Sequence, residues 1–487
     1  MAYYSIVSIN FKGGVVPSGV LHKILVSAKK AQASEARISS RQQLILKVPG
    51  MELPEFSHAL IAQKADFELD ADEYPNIISS YPGAALFNGT TWLSEGIYQD
   101  ILDAFDYRPQ LKINIADNNQ SFTPFFTGNL NFVASKQPNF WYLYVRFQKQ
   151  NVMFCWDELV YTNDIPRISK AIEDTLSDVT IPKEKEAVTA DVYQKAKYIT
   201  IPLGEPLALP RFMLPYYEGF NRYGDKTWLG IYRRNESFRI NFLIELCELC
   251  QQTKLGQICL TNWRSLILKG IAEGDRMKWE SLLGKHNINI RHAALELNWQ
   301  FTEGDEQDFE LKQFLVEELD RMDARTFGLC FAIKSKRKTE VFGSIIIRRR
   351  TLLNIGSISL FDVYDIKYRE NFNPNSRKVY DFKRGVYKSE LTKILLVLYK
   401  KYYEQLLDTK IRVPELVEMD LPEVKKANEA PLHQCPHCFT IYDPTVGDEM
   451  NHIKPGIPFD SLPGYYSCSV CEAPTSEFVG VSATDLS

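Results

Sequence analysis

No run of apolar residues in this chain is long enough to cross a membrane. Each run is short and broken by Lys, Asp or Asn, so insertion into a bilayer is not expected. The opening Met1-Ala-Tyr-Tyr-Ser lacks a basic region leading into an apolar stretch. That argues against a secretory leader and makes the cytoplasm the expected compartment. Phosphate-binding signatures are missing too: Gly13-Gly14 is followed by neither a third glycine nor Lys-Ser/Thr at the needed spacing, and no dinucleotide fingerprint occurs elsewhere. The chain thus has no hydride acceptor of its own, so any electron it handles must arrive from, and leave to, other proteins. Cysteine is sparse, nine in 487 residues, which suits reduced thiols in a reducing compartment better than a disulfide scaffold.

What is present is ordinary in bulk and uneven in placement. A hydrophobic content of 45% with 24% charged residues fits a soluble globular protein, and the length calls for about three or four domains. Tyr and Phe are plentiful, 25 and 28, and read as core. From Leu432 onward, Asp443, Asp448, Glu449, Asp460, Glu472, Glu477 and Asp485 face Lys454 alone, so this tail carries −6 and the remainder +2. An acidic tail argues against nucleic acid. It suits docking on a basic partner, and equally a well-solvated surface.

Two stretches of the chain read alike. A strand over 4–11, the Gly13-Gly14 turn and a helix with Leu21, Ile24, Leu25, Ala28 and Ala31 on one face lead to a strand over 36–47. A strand over 198–203, an insertion and a helix with Ile240, Leu243, Ile244 and Cys247 on one face lead to a strand over 257–269. Ser40-Arg-Gln-Gln-Leu-Ile-Leu-Lys47 and Asn262-Trp-Arg-Ser-Leu-Ile-Leu-Lys269 look like one element used twice, so the economical reading is an internal duplication. Mixed α/β sequence follows each copy, with strands expected over 112–116, 130–134 and 140–147, then over 326–333 and 340–348. A helix over 389–407, with Leu391, Leu395, Leu398 and Tyr402 inward, closes this body. The charged, proline-punctuated run 408–431 reads as a linker.

The last fifty residues hold two Cys-x-x-Cys pairs, Cys435/Cys438 and Cys468/Cys471. Each short loop presents both sulfurs to one point, so four thiolates can surround one ion, iron or zinc. Around them stand Cys435-Pro-His-Cys438, Ile441-Tyr-Asp-Pro444, Gly447-Asp448, Ile453-Lys-Pro-Gly456, Phe459, Leu462-Pro463, Tyr466, Cys468-Ser-Val-Cys471, Ala473 and Phe478. This set closely resembles rubredoxin. The resemblance implies one iron held by Cys435, Cys438, Cys468 and Cys471, cycling as a one-electron carrier, with zinc as the competing staple. Three positions depart from the family's pattern: Phe439 and Glu472 stand where it usually has glycine, and Tyr466 where it usually has tryptophan.

The duplicated body is similar to the siroheme-dependent nitrite and sulfite reductases. The match lies in the basic strand Arg37-Ile-Ser-Ser-Arg41-Gln42, in Arg108-Pro-Gln-Leu-Lys112 and in Gly128-Asn-Leu-Asn-Phe-Val-Ala134. The resemblance implies an α+β fold of two ferredoxin-like halves (1–70, 191–295), each followed by a siroheme-reductase-like α/β half (71–190, 296–407). After the linker comes the rubredoxin domain, 432–480. It also implies that Arg41 and Lys112 face a siroheme carboxylate or another anion. Pro75 and Gln110 replace a family arginine and lysine. After Cys259 the body has only Cys330, without the paired cysteines a [4Fe–4S] cluster needs, so neither that cluster nor siroheme is expected.

Other candidates are weaker. Cys247 and Cys250 fall on an amphipathic helix and read as buried core. His22, His58, His286 and His292 have no partners at ligand spacing, while His433, His437 and His452 sit near a site that four thiolates already fill. The resulting expectation is an electron carrier more than a catalyst, with no catalytic residue assigned. Its donor is a rubredoxin reductase or flavoprotein, and its acceptor a redox enzyme such as assimilatory nitrite or nitrate reductase. The alternatives are a siroheme enzyme without its cluster and a zinc-stapled interaction module.

Overall fold

The computed structural model describes residues 3–87, 89–90, 92–147, 153–178, 184–336, 341–355, 358–411, 432–438, 440–448, 451–471 and 473–481. The chain divides into two units, Met1–Ile411 and Arg412–Ser487. Phe439, Glu472 and 412–431, most of the expected linker, lie outside the described residues. No helix among the described residues is long and apolar enough to cross a membrane.

The duplication is plain in the topology of the first unit. One antiparallel sheet runs Phe238–Arg239, Glu35–Ile38, Leu44–Pro49, Tyr4–Asn10, Asp66–Leu69; a second runs Val15–Pro17, Gln257–Leu260, Leu266–Ile271, Lys226–Ile231, Gly219–Tyr223. Each copy lends the other its edge. Val15–Pro17 pairs with Gln257–Leu260, and Phe238–Arg239 pairs with Glu35–Ile38. The exchange satisfies backbone groups that an open edge would leave exposed. The helices that follow the exchanged strands, Ser18–Lys30 and Ile240–Gln252, pack on each other. Leu21, Ile24, Leu25 and Ala28 of one meet Leu243, Leu246, Cys247 and Cys250 of the other in one core, each buried leucine contributing roughly 1.5–3 kcal/mol.

The two remaining sheets also match. Ile78–Ser79, Ile113–Ala116 and Leu130–Ala134 are parallel, and Phe140–Arg146 and Glu158–Tyr161 return antiparallel. Trp299–Phe301, Phe331–Lys334 and Ile345–Ile355 are parallel, and Ile358–Arg369 and Val379–Val386 return antiparallel. A helix joins the first two strands of each sheet, Glu95–Asp103 or Glu306–Arg321, as a parallel pair requires. The helix Leu391–Ile411 turns Leu391, Leu395, Leu398 and Tyr402 inward, as its pattern predicts.

Three sequence expectations need correction. The supposed strands over 36–47 and 257–269 are hairpins, each bent at a tight turn. Gln42 N–H donates to Ser39 O at 3.0 Å, and Arg264 N–H to Thr261 O at 3.3 Å. Gln42 and Arg264 both take φ near the left-handed region, 60° and 55°. Neither turn contains glycine or proline; Ser39 Oγ and Thr261 Oγ1 instead accept from the N–H two residues on, both at 3.1 Å. The strand near 198–203 does not head the second copy: Thr200–Pro202 pairs with Glu158–Tyr161, and Lys226–Ile231 occupies the place of Tyr4–Asn10. The strand expected over 326–333 begins only at Phe331, because Gly328 (φ 86°) turns the chain just before it.

The second unit is a three-stranded antiparallel sheet, Ile441–Tyr442, Leu432–Gln434, Val479–Val481. Tyr442, Ile453 and Tyr466 form its buried centre, with Phe459, Leu462 and Phe478 packed alongside. The buried phenols have partners: Tyr442 donates to Ile457 O and Tyr466 to Asp448 Oδ2, both at 2.8 Å. Gly447, at φ 76°, lies so close to the 453–455 backbone that a Cβ would sit 2.5 Å from Ile453 O. So small a core needs a further staple.

Candidate metal centre

Two matching loops carry the four tail cysteines. Cys435 N–H donates to Thr440 O at 2.8 Å, and Cys468 N–H to Ala473 O at 2.9 Å. Each bond folds a Cys-x-x-Cys segment back so that both its sulfurs face inward. Sγ of Cys435 lies 3.5 Å from that of Cys471, and Sγ of Cys438 lies 3.4 Å from that of Cys468. All four lie within 4.8 Å of one another. Metal–sulfur bonds of about 2.3 Å in a tetrahedron require sulfurs about 3.8 Å apart, so the cage has the right size. Among the described residues this is the one group of cysteine, histidine and acidic side chains placed to hold a metal ion.

The cage is lopsided. Cys435 and Cys468 are buried, Cys438 is half-buried and Cys471 is exposed. Water is kept from one side of the site while an outer thiolate reaches the surface. Hydrogen bonds from the Thr440 hydroxyl, at 3.1 Å, and its backbone bring the Cys438 thiol down to about 6. Thr440, two residues past the second cysteine, is a contributor that spacing rules overlook. His437 reaches Glu477 at 2.5 Å, and His433 stacks on Phe459 with ring centroids 3.9 Å apart.

The five other cysteines lie in the body and do not converge. Burial pushes Cys247 and Cys330 up to about 12 and Cys259 up to about 11. His292 is a buried partner of Glu218, with Nδ1 2.6 Å from Oε1.

Arg41 and Lys112 border one cleft of about 1400 Å³ in the body. Arg41 donates to Asn76 O at 3.1 and 2.5 Å, to Ile113 O at 3.0 Å and to Asn114 Oδ1 at 3.2 Å. Burial, opposed by Asp72, brings its guanidinium down to about 10, so it stays cationic at neutral pH. Lys112 pairs with Asp72 at 3.2 Å. Arg37, Lys47, Arg146 and Lys334 line the same cleft, and sequence reasoning did not assign them to a site. Lys47 lies two residues past Ile45, the strand partner of Arg37, and so shares the face of Arg37. This set of cations fits the carboxylates of siroheme. No cysteine, histidine or methionine is among the described residues lining the cleft.

Comparison with known proteins bears on the metal site of the tail and on the fold of the body. The Rubredoxin family model matches residues 432–478. The chain is 42% identical over 50 residues to the probable rubredoxin HupI of Bradyrhizobium diazoefficiens, covering 10% of this chain and 72% of that protein. It is 39% identical over 56 residues to a rubredoxin of Synechocystis sp., covering 12% of this chain and 49% of that one, so it spans about half the length of that relative. Through this C-terminal domain the chain belongs to the rubredoxin family. The solved structure of the Mycobacterium tuberculosis NirA protein matches with a TM-score of 0.63 at 14% identity, over 82% of this chain and 81% of that one. That share reaches far beyond the tail and establishes the NirA-like fold of the body. A rubredoxin domain with four cysteines implies an iron centre and electron transfer.

Proposed function

We propose that Cys435, Cys438, Cys468 and Cys471 hold one iron and that the chain is a dedicated one-electron carrier for a redox enzyme. The convergence of the four sulfurs within 4.8 Å carries this reading. Iron bound there supplies a couple between Fe(III) and Fe(II), accepting one electron and passing one on. The residues of the chain set how well that works. Four thiolates in a fixed tetrahedron need little rearrangement, the buried Cys435 and Cys468 exclude water, and the Thr440 hydroxyl stabilises charge on Cys438. Exposure of Cys471 gives a short path to a docked partner.

The donor in this reading is a rubredoxin reductase or other flavoprotein, and the acceptor an assimilatory nitrite or nitrate reductase. The NirA-like fold of the body is what supports that acceptor class. We assign the body four half-domains, 1–70, 71–190, 191–295 and 296–407, and place the protein in the cytoplasm. A tether to the body holds the carrier at high local concentration near whatever enzyme the body engages. The test is stopped-flow reduction of the full chain by a rubredoxin reductase, followed by mixing with candidate acceptors. Transfer to nitrite or nitrate reductase is expected; failure with every acceptor overturns the proposal.

A further inference from the structure

The two cysteine loops of the tail are built alike and anchored differently. The first closes a hairpin: Cys435 leaves the strand Leu432–Gln434, and the chain returns past Cys438 into Ile441–Tyr442. Gln434 pairs with Ile441 and His433 with Tyr442 at its base, and Val479–Val481 holds the same strand from its other side. The second loop has no such ladder. One isolated bridge, Ser467 with Pro474, stands at its base, and neither of its described arms belongs to a strand there. A metal ion tolerates errors of only about 0.2 Å in its bonds to the ligands, so Cys468 and Cys471 need another support.

Side chains supply it. Asp448 lies in the loop after Gly447, twenty residues before Cys468. Its Oδ2 accepts from the Tyr466 hydroxyl at 2.8 Å and from Asn451 Nδ2 at 3.1 Å, and its Oδ1 from the Asn451 N–H at 3.1 Å. Asn451 Nδ2 also donates to Ser467 O at 3.0 Å, the carbonyl immediately before Cys468. Two backbone bonds with Ile453, at 2.9 and 2.7 Å, fix Asp448 itself. Burial disfavours its charged form, but donation from Tyr466, Asn451 and Ser469 outweighs that and holds the carboxyl below the ordinary carboxylate range. One carboxylate thus ties down, directly or through Asn451, three residues that bracket Cys468. Tyr466 is buried and meets Tyr442 edge-on, with ring centroids 5.7 Å apart. A tyrosine where rubredoxins usually carry tryptophan is what brings a hydroxyl to this carboxylate.

We infer that Asp448, Asn451 and Tyr466 are positioning residues of the metal centre, holding the second cysteine loop in the geometry that the sheet imposes on the first. Four thiolates fill the coordination, so all three act through Cys468 and Cys471. This role rests on the four thiolates holding a metal ion and is indifferent to which ion that is.

The test uses the full chain loaded with Co(II), whose visible ligand-field bands report distortion of the tetrahedron. Tyr466→Phe deletes one hydroxyl and keeps the ring in the core; Asp448→Asn removes the charge at nearly constant volume. In chelator competition both variants should lose metal affinity by about 10–100-fold, the usual loss when a group behind a ligand is removed. Their cobalt bands should shift while the metal is still bound. Hydrogen exchange should quicken about tenfold or more at the Cys468 N–H, which donates to Ala473 O, and stay unchanged at the Cys435 N–H, which donates to Thr440 O. Tyr466→Phe carries the test if Asp448→Asn leaves the tail unfolded. Wild-type affinity and bands in the variants would overturn the inference. So would exchange quickened equally at both cysteines, which marks a general loosening of the tail. Zinc in the native protein would overturn the electron-carrier reading and leave these outcomes as they stand.

Discussion

The chain uses cysteine in two opposite ways. In the tail, Cys435, Cys438, Cys468 and Cys471 converge on one point at the edge of a core too small to stand alone. In the body, Cys247, Cys250, Cys259 and Cys330 are fully buried among aliphatic and aromatic side chains, held as neutral thiols by burial. The residue type therefore says little about its role; what decides it is whether backbone turns aim the sulfurs at each other. Two N–H···O=C bonds, from Cys435 to Thr440 and from Cys468 to Ala473, do the aiming. In the body Cys-Glu-Leu-Cys lies on a helix, where both thiols follow the apolar face into the core.

The sharpest way to break this contrast is to remove an inner tail sulfur. Cys435→Ser should abolish iron binding and unfold the tail, since metal affinity is folding energy in so small a domain. Metal analysis and limited proteolysis will show it, and the melting transition of the body should not move. Cys330→Ala should do the reverse: it costs the body about 1–3 kcal/mol in denaturant melts through lost packing, with iron content unchanged.

The buried thiols also predict a pH trend. Their pKa values are raised above the unfolded value of about 8.5, so they remain protonated in the native body when the unfolded chain has ionised. Their contribution to stability is complete below about pH 8.5 and is lost as pH climbs toward 11–12. Melting temperature followed from pH 7 to 10 should fall across that window, and Cys247→Ala/Cys330→Ala should flatten the fall.

The smallest effect concerns tuning. Thr440→Val removes a hydroxyl that donates to Cys438 and favours the more negative, reduced centre. Iron should stay bound while the reduction potential drops by on the order of 40 mV, the value of one ordinary hydrogen bond for a one-electron couple. Square-wave voltammetry will measure it.

What could be read in advance follows from the range of the interactions. The metal site is legible because each pair of ligands and the turn that aims it lie within a few residues. Helix faces such as Leu391, Leu395 and Leu398 are legible because their period is local. The two hairpins are not, because Ser39 and Thr261 build turns that hold Gln42 and Arg264 in a conformation usually signalled by glycine. The exchange of edges is not, because Val15–Pro17 and Phe238–Arg239 are two or three residues of strand whose partners lie some two hundred positions away. Arg41 is visible as a cation near a family motif, but the carbonyls of Asn76 and Ile113 that hold it come from a loop and from the start of a strand that no local pattern brings there.

The central claim, that the four tail sulfurs hold iron that changes oxidation state, is tested most directly by one experiment on the full chain expressed with iron available. Metal content is measured first, and the visible spectrum is then recorded before and after dithionite. One iron per chain, with iron–thiolate bands that bleach on reduction and return in air, is the predicted result. Zinc in its place, or bands that dithionite leaves unchanged, would contradict it.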